Sequence, residues 1–147
     1  MNERIKKVKK EEYMKILCVI EDNYGILFNH RRVSRDRLMN EKILEIVGSN
    51  KLYISPFSTS LFNTKENIII DEDYLEHAGD NDYCFVEDKE LLAYKDKINM
   101  FYLFHWNRHY PSDFSLDYQP SLDMHLIDSI EVAGSSHDDI LLEVFEK

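Results

Sequence analysis

Two histidines, His105 and His109, lie four residues apart beside the only tryptophan of the chain. This spacing binds zinc in metalloprotease helices, where a glutamate follows the first histidine and acts as the base. Here Trp106, Asn107 and Arg108 separate the histidines, and the apolar run before them is typical of a strand. In a strand, residues four apart are too distant to share a metal ion easily. We therefore predict no metal site at these histidines.

Beyond the first 13 residues, the segment from Asn29 to Arg37 is the one basic patch in an otherwise acidic chain. Its arginines Arg31, Arg32 and Arg35 precede a predicted helix, and a helix N-terminus favours anions through its free N–H groups and its dipole. Guanidinium groups bind phosphates and carboxylates through paired hydrogen bonds. The arginines are therefore either binding residues for an anionic ligand or partners of the acidic surface, and both interpretations stay open.

The helix after this patch is the clearest in the chain. Ser34 is predicted as its N-cap, and Gly48 stands where a helix C-terminus favours a left-handed residue. Asp36 lies three residues before Met39, which places its carboxylate on the buried face. Such an acid either faces a ligand pocket or lies in the first turn of the helix, where it accepts hydrogen bonds from free backbone N–H groups. The apolar stripe consists of Met39, Ile43, Ile46 and Val47.

Short apolar runs alternate with helical patterns through the first two thirds of the chain, whereas the last third contains strands with little helix between them. Runs at 51–55, 67–71 and 83–87 are typical of strands that are covered on both faces. We predict an α/β fold: a mixed, mostly parallel central sheet with flanking short helices and an antiparallel C-terminal hairpin. The predicted strands are 14–21, 51–55, 67–71, 83–87, 98–106, 122–132 and 139–147.

Charge is unevenly distributed along the chain. Residues 1–13 carry five basic and three acidic side chains, so residues 14–147 carry 13 basic and 25 acidic ones, a net charge of −12. We interpret 1–13 as a charged N-terminal extension and 14–147 as a single α/β domain. An acidic surface repels phosphate backbones, which argues against nucleic-acid binding. It suits a basic protein partner, or it simply keeps the protein soluble.

Other classes of protein are excluded by the apolar pattern. No apolar run approaches the length of a membrane span, and the charged start lacks the apolar segment of a secretory signal. We expect no membrane association and a cytoplasmic location. Cys18 and Cys84 each lie within an apolar run, which predicts buried free thiols rather than a disulfide. The acidic groups at 71–73 and 80–82 lack the spacing of a calcium loop and are expected to be solvated.

Several motifs resemble those of dihydrofolate reductases. That family opens with a strand, an N-x-x-I-G type turn and an L-P-x-D-L helix start, and the last of these reads Val33-Ser34-Arg35-Asp36-Arg37 here. The segments 98–118 and 122–147 are similar to the closing strands of the family. The resemblance implies a dihydrofolate reductase-like fold. It also implies a catalytic role for Asp36, because the family's acid at this place faces the pteridine pocket and helps to protonate the substrate.

The cofactor side departs from the family pattern. In place of the M-G-R-x-T segment that meets the cofactor phosphate, the chain reads Ile54-Ser55-Pro56-Phe57-Ser58, so only the Ser58 hydroxyl is carried over as cofactor-binding. In place of the G-G turn near the pyrophosphate stand Val86, Glu87 and Asp88. Carboxylates at that turn would repel a phosphate. The departures argue against NADPH as a cofactor, although a divergent NADPH-dependent reductase stays an alternative.

Three functions remain open for such a chain. We favour a non-catalytic scaffold that binds a small anionic or heterocyclic ligand between the arginines, Asp36 and the segment 53–57. The alternatives are a divergent NADPH-dependent reductase that uses Asp36, and an acidic immunity-type protein that binds a basic partner. The chain also resembles small acidic bacterial proteins labelled ribonuclease Z, but no histidine falls in an H-x-H-x-D-H pattern, so we predict no such metal-dependent nuclease. The predicted ligand-binding residues are Arg31, Arg32, Arg35, Tyr53, Phe57, Phe104 and Trp106.

Overall fold

The computed structural model describes residues 13–32, 34–62, 65–135 and 139–147, so nearly all of the predicted N-terminal extension lies outside the described residues. The helices are α1 (Arg37–Val47) and α2 (Tyr74–His77), with 3-10 helices at Pro56–Leu61, Leu92–Lys97 and Pro120–Leu122. The strands are β1 (Met14–Ile20), β2 (Gly25–Phe28), β3 (Arg31–Arg32), β4 (Leu52–Ile54), β5 (Ile68–Ile70), β6 (Tyr83–Phe85), β7 (Ile98–His105), β8 (Phe114–Ser115), β9 (His125–Val132) and β10 (Ile140–Glu146).

Seven of these strands form one sheet in the order β5-β4-β6-β1-β7-β10-β9. The neighbours from β5 to β7 are parallel, and β10 is antiparallel to both β7 and β9. This mixed, mostly parallel sheet with a C-terminal antiparallel hairpin confirms the predicted fold class. Strands β3, β2 and β8 form a second, small antiparallel sheet near the N-terminus of α1.

Apart from Lys15 near its start, the central strand β1 is apolar because both of its faces are covered. Ile16, Cys18 and Ile20 belong to the core on one side of the sheet, whereas Leu17 and Val19 belong to the core on the other side. Side chains of a strand alternate between the two faces, so a strand in the middle of a covered sheet needs apolar residues at every position. The same requirement does not hold for β5. The prediction that residues 67–71 are covered on both faces is wrong, because β5 is the outermost strand and stays partly exposed.

Helix α1 packs on the side of the sheet that contains Leu17, and it buries Met39, Ile43 and Val47 there. Its N-cap is Asp36, whose backbone is still extended and whose carboxylate accepts the Met39 N–H at 2.9 Å. The predicted cap at Ser34 is therefore wrong by two residues, because aspartate caps a helix as well as serine does. At the other end Gly48 has a φ of 60° and donates its N–H to the Leu44 carbonyl, as predicted for a C-terminal glycine.

Both cysteines are free and buried, which confirms that prediction. Burial is the main cause that raises the pKa of the Cys18 and Cys84 thiols well above the usual range, so neither carries a reactive thiolate at neutral pH. Among the helices that the structure describes, none is long and apolar enough to cross a membrane.

Candidate functional site

The carboxyl ends of the parallel strands meet at one edge of the large sheet, where the segments that follow them lie side by side. After β4 comes Ser55 and then the 3-10 helix Pro56–Leu61, and after β6 come Val86 and Glu87. Parallel strands place the segments after them at the same edge, which is where open α/β sheets usually bind their ligands. The N-terminus of α1 and the small sheet border this edge and contribute the arginines.

Glu87 is the buried centre of a polar network at this edge. Arg32 donates from Nε to Oε2 at 2.8 Å and from Nη2 to Oε1 at 2.9 Å, a bidentate ion pair. The buried Ser58 hydroxyl donates to Oε1 at 2.7 Å. Three charge-assisted hydrogen bonds therefore compensate the buried carboxylate.

The Arg32 guanidinium is fixed by further contacts on the same side. Its Cζ lies 4.8 Å from the centre of the Phe57 ring, and Nη2 also donates to the Phe57 carbonyl at 3.1 Å. Three of the predicted binding residues, Arg32, Phe57 and Ser58, are thus brought together. They surround the carboxylate of Glu87, so the anion that they contact is a side chain of the protein itself. The Ser58 hydroxyl already donates its hydrogen bond to this carboxylate.

The second acid after β6 is also engaged. The Asp88 carboxylate accepts the Tyr74 hydroxyl at 2.9 Å, and Tyr74 is fully buried. The pKa of Tyr74 is raised well above its ordinary value, first by burial and then by the charge of Asp88. This hydrogen bond ties the turn after β6 to helix α2.

Asp36 lies at the start of α1 with only 2% of its surface exposed. Its Oδ1 accepts the backbone N–H groups of Met39 and Ser135, each at 2.9 Å. The carboxylate therefore caps α1 and joins it to the segment after β9. Both bonds fit the structural alternative considered for this residue, and its catalytic role stays a prediction.

A cleft of about 380 Å³ lies between α1 and the residues that follow β4; we call it the Arg35 cleft. Leu44 on α1 and the pair Leu61 and Phe62 provide apolar walls. The cleft is thus a surface of both charged and apolar groups beside the Glu87 network. Its lining consists of Arg35, Arg37, Asn40, Glu41, Leu44, Leu61 and Phe62.

The polar groups of the Arg35 cleft differ in how many hydrogen bonds and ion pairs they form. Arg37 and Glu41 form an exposed ion pair of 3.1 Å at the rim. Arg35 makes one hydrogen bond within the described residues, from Nη2 to the Ser60 carbonyl at 3.3 Å, and no ion pair there. The buried Asn40 has no side-chain hydrogen bond within the same part of the chain. A guanidinium and an amide are therefore available to a ligand.

The remaining predicted ligand-binding residues lie elsewhere. Tyr53 is buried on one side of the sheet, and Phe104 and Trp106 are buried on the other side, so none of them lines the Arg35 cleft. Arg31 is exposed and its side chain makes no hydrogen bond to the described residues. Of the ligand-binding residues predicted from the sequence, Arg35 is the one that lines the Arg35 cleft.

Apart from Arg35, the lining residues of the cleft were not predicted from the sequence, among them Asn40, Leu61 and Phe62. A signal for Asn40 was present, because it lies three residues before Ile43 and seven before Val47 and so interrupts the apolar stripe of α1 with an amide. No comparable pattern marks Leu61 and Phe62, which resemble any apolar pair at the end of a short helix.

The two histidines considered first lie apart from this site. His105 Nε2 lies 2.5 Å from the Glu143 carboxylate, and His109 Nδ1 lies 2.9 Å from the Asn23 amide. Across the described residues, no group of three His, Cys, Asp or Glu side chains is placed to hold a metal ion.

No protein-family model and no curated protein matches the sequence. Among solved structures, the chain is similar to dihydrofolate reductase from Enterococcus faecalis complexed with NADP(H) and RAB-propyl, with a TM-score of 0.66 over 91% of this chain and 95% of that chain. This chain has a dihydrofolate reductase-like fold. The sequence identity is 7%, so the likeness concerns the fold alone, and it confirms the fold that the terminal motifs implied. In this dihydrofolate reductase-like chain, the buried pair Arg32 and Glu87 occupies the edge of the sheet next to the Arg35 cleft.

Proposed function

We propose that this protein is a non-catalytic binding protein that holds a small ligand in the Arg35 cleft. The ligand has an anionic group and a flat apolar or heterocyclic body. The observation that carries the proposal is the availability of the Arg35 guanidinium and the Asn40 amide in a cleft walled by Leu44, Leu61 and Phe62.

The chemistry of the cleft defines the ligand class. Arg35 suits a carboxylate or a phosphate, which it can bind through two N–H groups. Asn40 offers both a donor and an acceptor, as a heterocycle or an amide requires. Ligand pockets commonly have volumes of about 300–1,000 Å³, so a cleft of about 380 Å³ suits a compact ligand rather than a dinucleotide.

The Glu87 network supports a function other than NADPH-dependent reduction. A cofactor phosphate at this edge would have to displace a bidentate carboxylate from Arg32 and take the hydroxyl of Ser58. The buried charge of Glu87 would then be left without a partner beside a second anion, which costs several kcal/mol. The alternative of a divergent reductase requires that rearrangement, whereas a ligand in the Arg35 cleft does not.

The test is a titration of the full chain with dihydrofolate, para-aminobenzoate and adenosine monophosphate, three anionic ring compounds of different size. A ligand that binds only the folded state raises the melting temperature, and the fluorescence of Trp106 provides a second reading. We expect saturable stabilisation by at least one of them. We also expect Arg35→Gln to weaken that binding about tenfold or more, because it removes a charge-assisted hydrogen bond.

Arg31→Gln is the matched control. It removes the same charge from an exposed site in the same basic patch, and Arg31 does not line the cleft. Equal weakening by both substitutions would show that only the general charge of the patch matters. Binding that is indifferent to Arg35→Gln, or a lack of any saturable stabilisation by the three compounds, would contradict the proposed site.

A further inference from the structure

The outer edge of the large sheet is open at β9. Strand β9 pairs with β10 on one side, and no described strand pairs with its other side. Six of its eight residues are exposed, and only Val132 is buried. An edge strand of this length presents a row of unpaired N–H and C=O groups, to which another extended segment can add.

Apolar side chains are concentrated beside this edge. Of the described aliphatic residues that are at least half exposed, all but Ile70 lie here, and Leu122 reaches 81%. Leu92 and Leu122 line a cleft of about 360 Å³ immediately before β9. Leu126 and Ile127 extend the apolar area onto the strand itself. Exposed apolar residues beside an unpaired strand edge mark a candidate interaction surface. We call these four leucine and isoleucine residues, together with β9, the β9 surface.

The charges of the β9 surface decide which partner it fits. Asp128 and Glu131 lie on the strand, and Asp117 and Asp123 line the adjacent cleft, where Lys95 is the one basic residue of the lining. In a second copy paired antiparallel and centred on Asp128, this residue would lie opposite its own counterpart, and like charges in facing positions destabilise a sheet. The ladder between β9 and β10 is also irregular next to Ile127, and such a bulge discourages edge-to-edge pairing of identical strands.

A basic strand is attracted to these carboxylates, whereas a second acidic copy is repelled by them. We propose that β9 is the docking edge for an extended segment of another protein that carries basic residues on both of its faces and apolar residues between them. The segment adds to β9 as a further strand through backbone hydrogen bonds. Asp128 and Glu131 are three residues apart and so face opposite sides of the strand, and a basic residue on each face of the segment meets one of them. An apolar side chain of the segment enters the cleft between Leu92 and Leu122. This surface shares no residue with the Arg35 cleft, so each of the two proposals can be tested independently of the other.

The test uses the full chain and a short fluorescent valine-rich peptide with two lysines three residues apart, so that one lysine lies on each face of the added strand. Binding is measured by fluorescence anisotropy at low salt. We expect the double variant Asp128→Lys/Glu131→Lys to weaken binding about tenfold or more, because attraction becomes repulsion at two positions. The matched control is Glu72→Lys/Asp80→Lys, which reverses two exposed charges away from β9 and should change binding much less. Equal weakening by both double variants would overturn the proposal, because the peptide would then respond only to net charge.

Two further measurements separate strand addition from other contacts. Hydrogen exchange should slow at β9 amides when the peptide binds, and a peptide with N-methyl groups on alternate amides should bind at least about tenfold more weakly, since it cannot form the backbone ladder. Protection elsewhere in the chain, or unchanged affinity of the methylated peptide, would overturn the proposal. A dimeric mass by light scattering that the β9 charge reversals abolish would overturn it as well, because a second copy would then occupy the edge.

Discussion

Arg32→Met should strongly destabilise the protein because it leaves Glu87 buried without its counter-charge. The two side chains are 14% and 5% exposed, and Arg32 supplies two of the three hydrogen bonds to the carboxylate. Removing one partner of a buried ion pair typically costs about 3–5 kcal/mol. Because Arg32 keeps some contact with solvent, we expect a loss near the lower end, about 3 kcal/mol of the free energy of unfolding.

The double variant Arg32→Met/Glu87→Met distinguishes the pair from simple packing. With both charges gone, the remaining defect is the Ser58 hydroxyl without its acceptor, which costs about 1–3 kcal/mol when the group is buried. We therefore expect the second substitution to restore part of the stability lost in the first. Urea unfolding followed by Trp106 fluorescence measures each variant. A double variant less stable than Arg32→Met, or a loss below about 1 kcal/mol in Arg32→Met itself, would refute the reasoning.

Arg37→Met is the control for this cycle. It breaks the Arg37–Glu41 pair, in which both side chains are exposed. Exposed ion pairs of this spacing contribute about 0.3–0.5 kcal/mol, so the control should remain close to the wild type.

Two other perturbations test the local structure. Asp36→Ala should lower the free energy of unfolding by about 2 kcal/mol, because the N–H groups of Met39 and Ser135 lose their acceptor. Asp36→Asn should cost less, since its amide oxygen can still accept a hydrogen bond. Urea unfolding compares the two variants, and equal losses of stability would count against the capping role. The His77–Asp71 pair, 2.6 Å apart, raises the pKa of His77 and lowers that of Asp71, each chiefly through their shared hydrogen bond. Its contribution to stability should be complete between about pH 4 and pH 6.5, and should be lost as the pH rises through the raised pKa of His77 or falls through the lowered pKa of Asp71. An NMR titration should show the pKa of His77 falling towards 6.5 in Asp71→Asn but not in the control Asp128→Asn; an unchanged pKa in Asp71→Asn would show that the pair is not formed in solution.

The central strands and α1 were predictable because their signals are local. The continuous apolar run of β1, the stripe that contains Ile43 and the glycine at Gly48 each follow from a few neighbouring residues. The small sheet was not predicted, because β3 has only two residues and β8 only two. Strands of that length carry no periodicity, and their conformation depends on contacts that the folded chain provides.

The candidate site was predictable only in part, for the same reason. The basic patch was visible, and so were the two possible roles of its arginines. Arg32 pairs with Glu87, 55 residues further along the chain, so no local pattern could assign that role. Arg35 keeps its guanidinium free of acids in the described structure, although it stands only three residues away. Which of the two arginines pairs with an acid depends on how the strand edge and α1 pack.

If a dinucleotide phosphate has to displace Glu87 from Arg32 and Ser58, as we propose, this chain should not bind NADPH. The most direct measurement is a titration of the full chain with NADPH, read by melting temperature and by Trp106 fluorescence. We predict no saturable change in either reading up to millimolar NADPH. A saturable rise in melting temperature that Ser58→Ala reduces would contradict the claim and would support the reductase alternative.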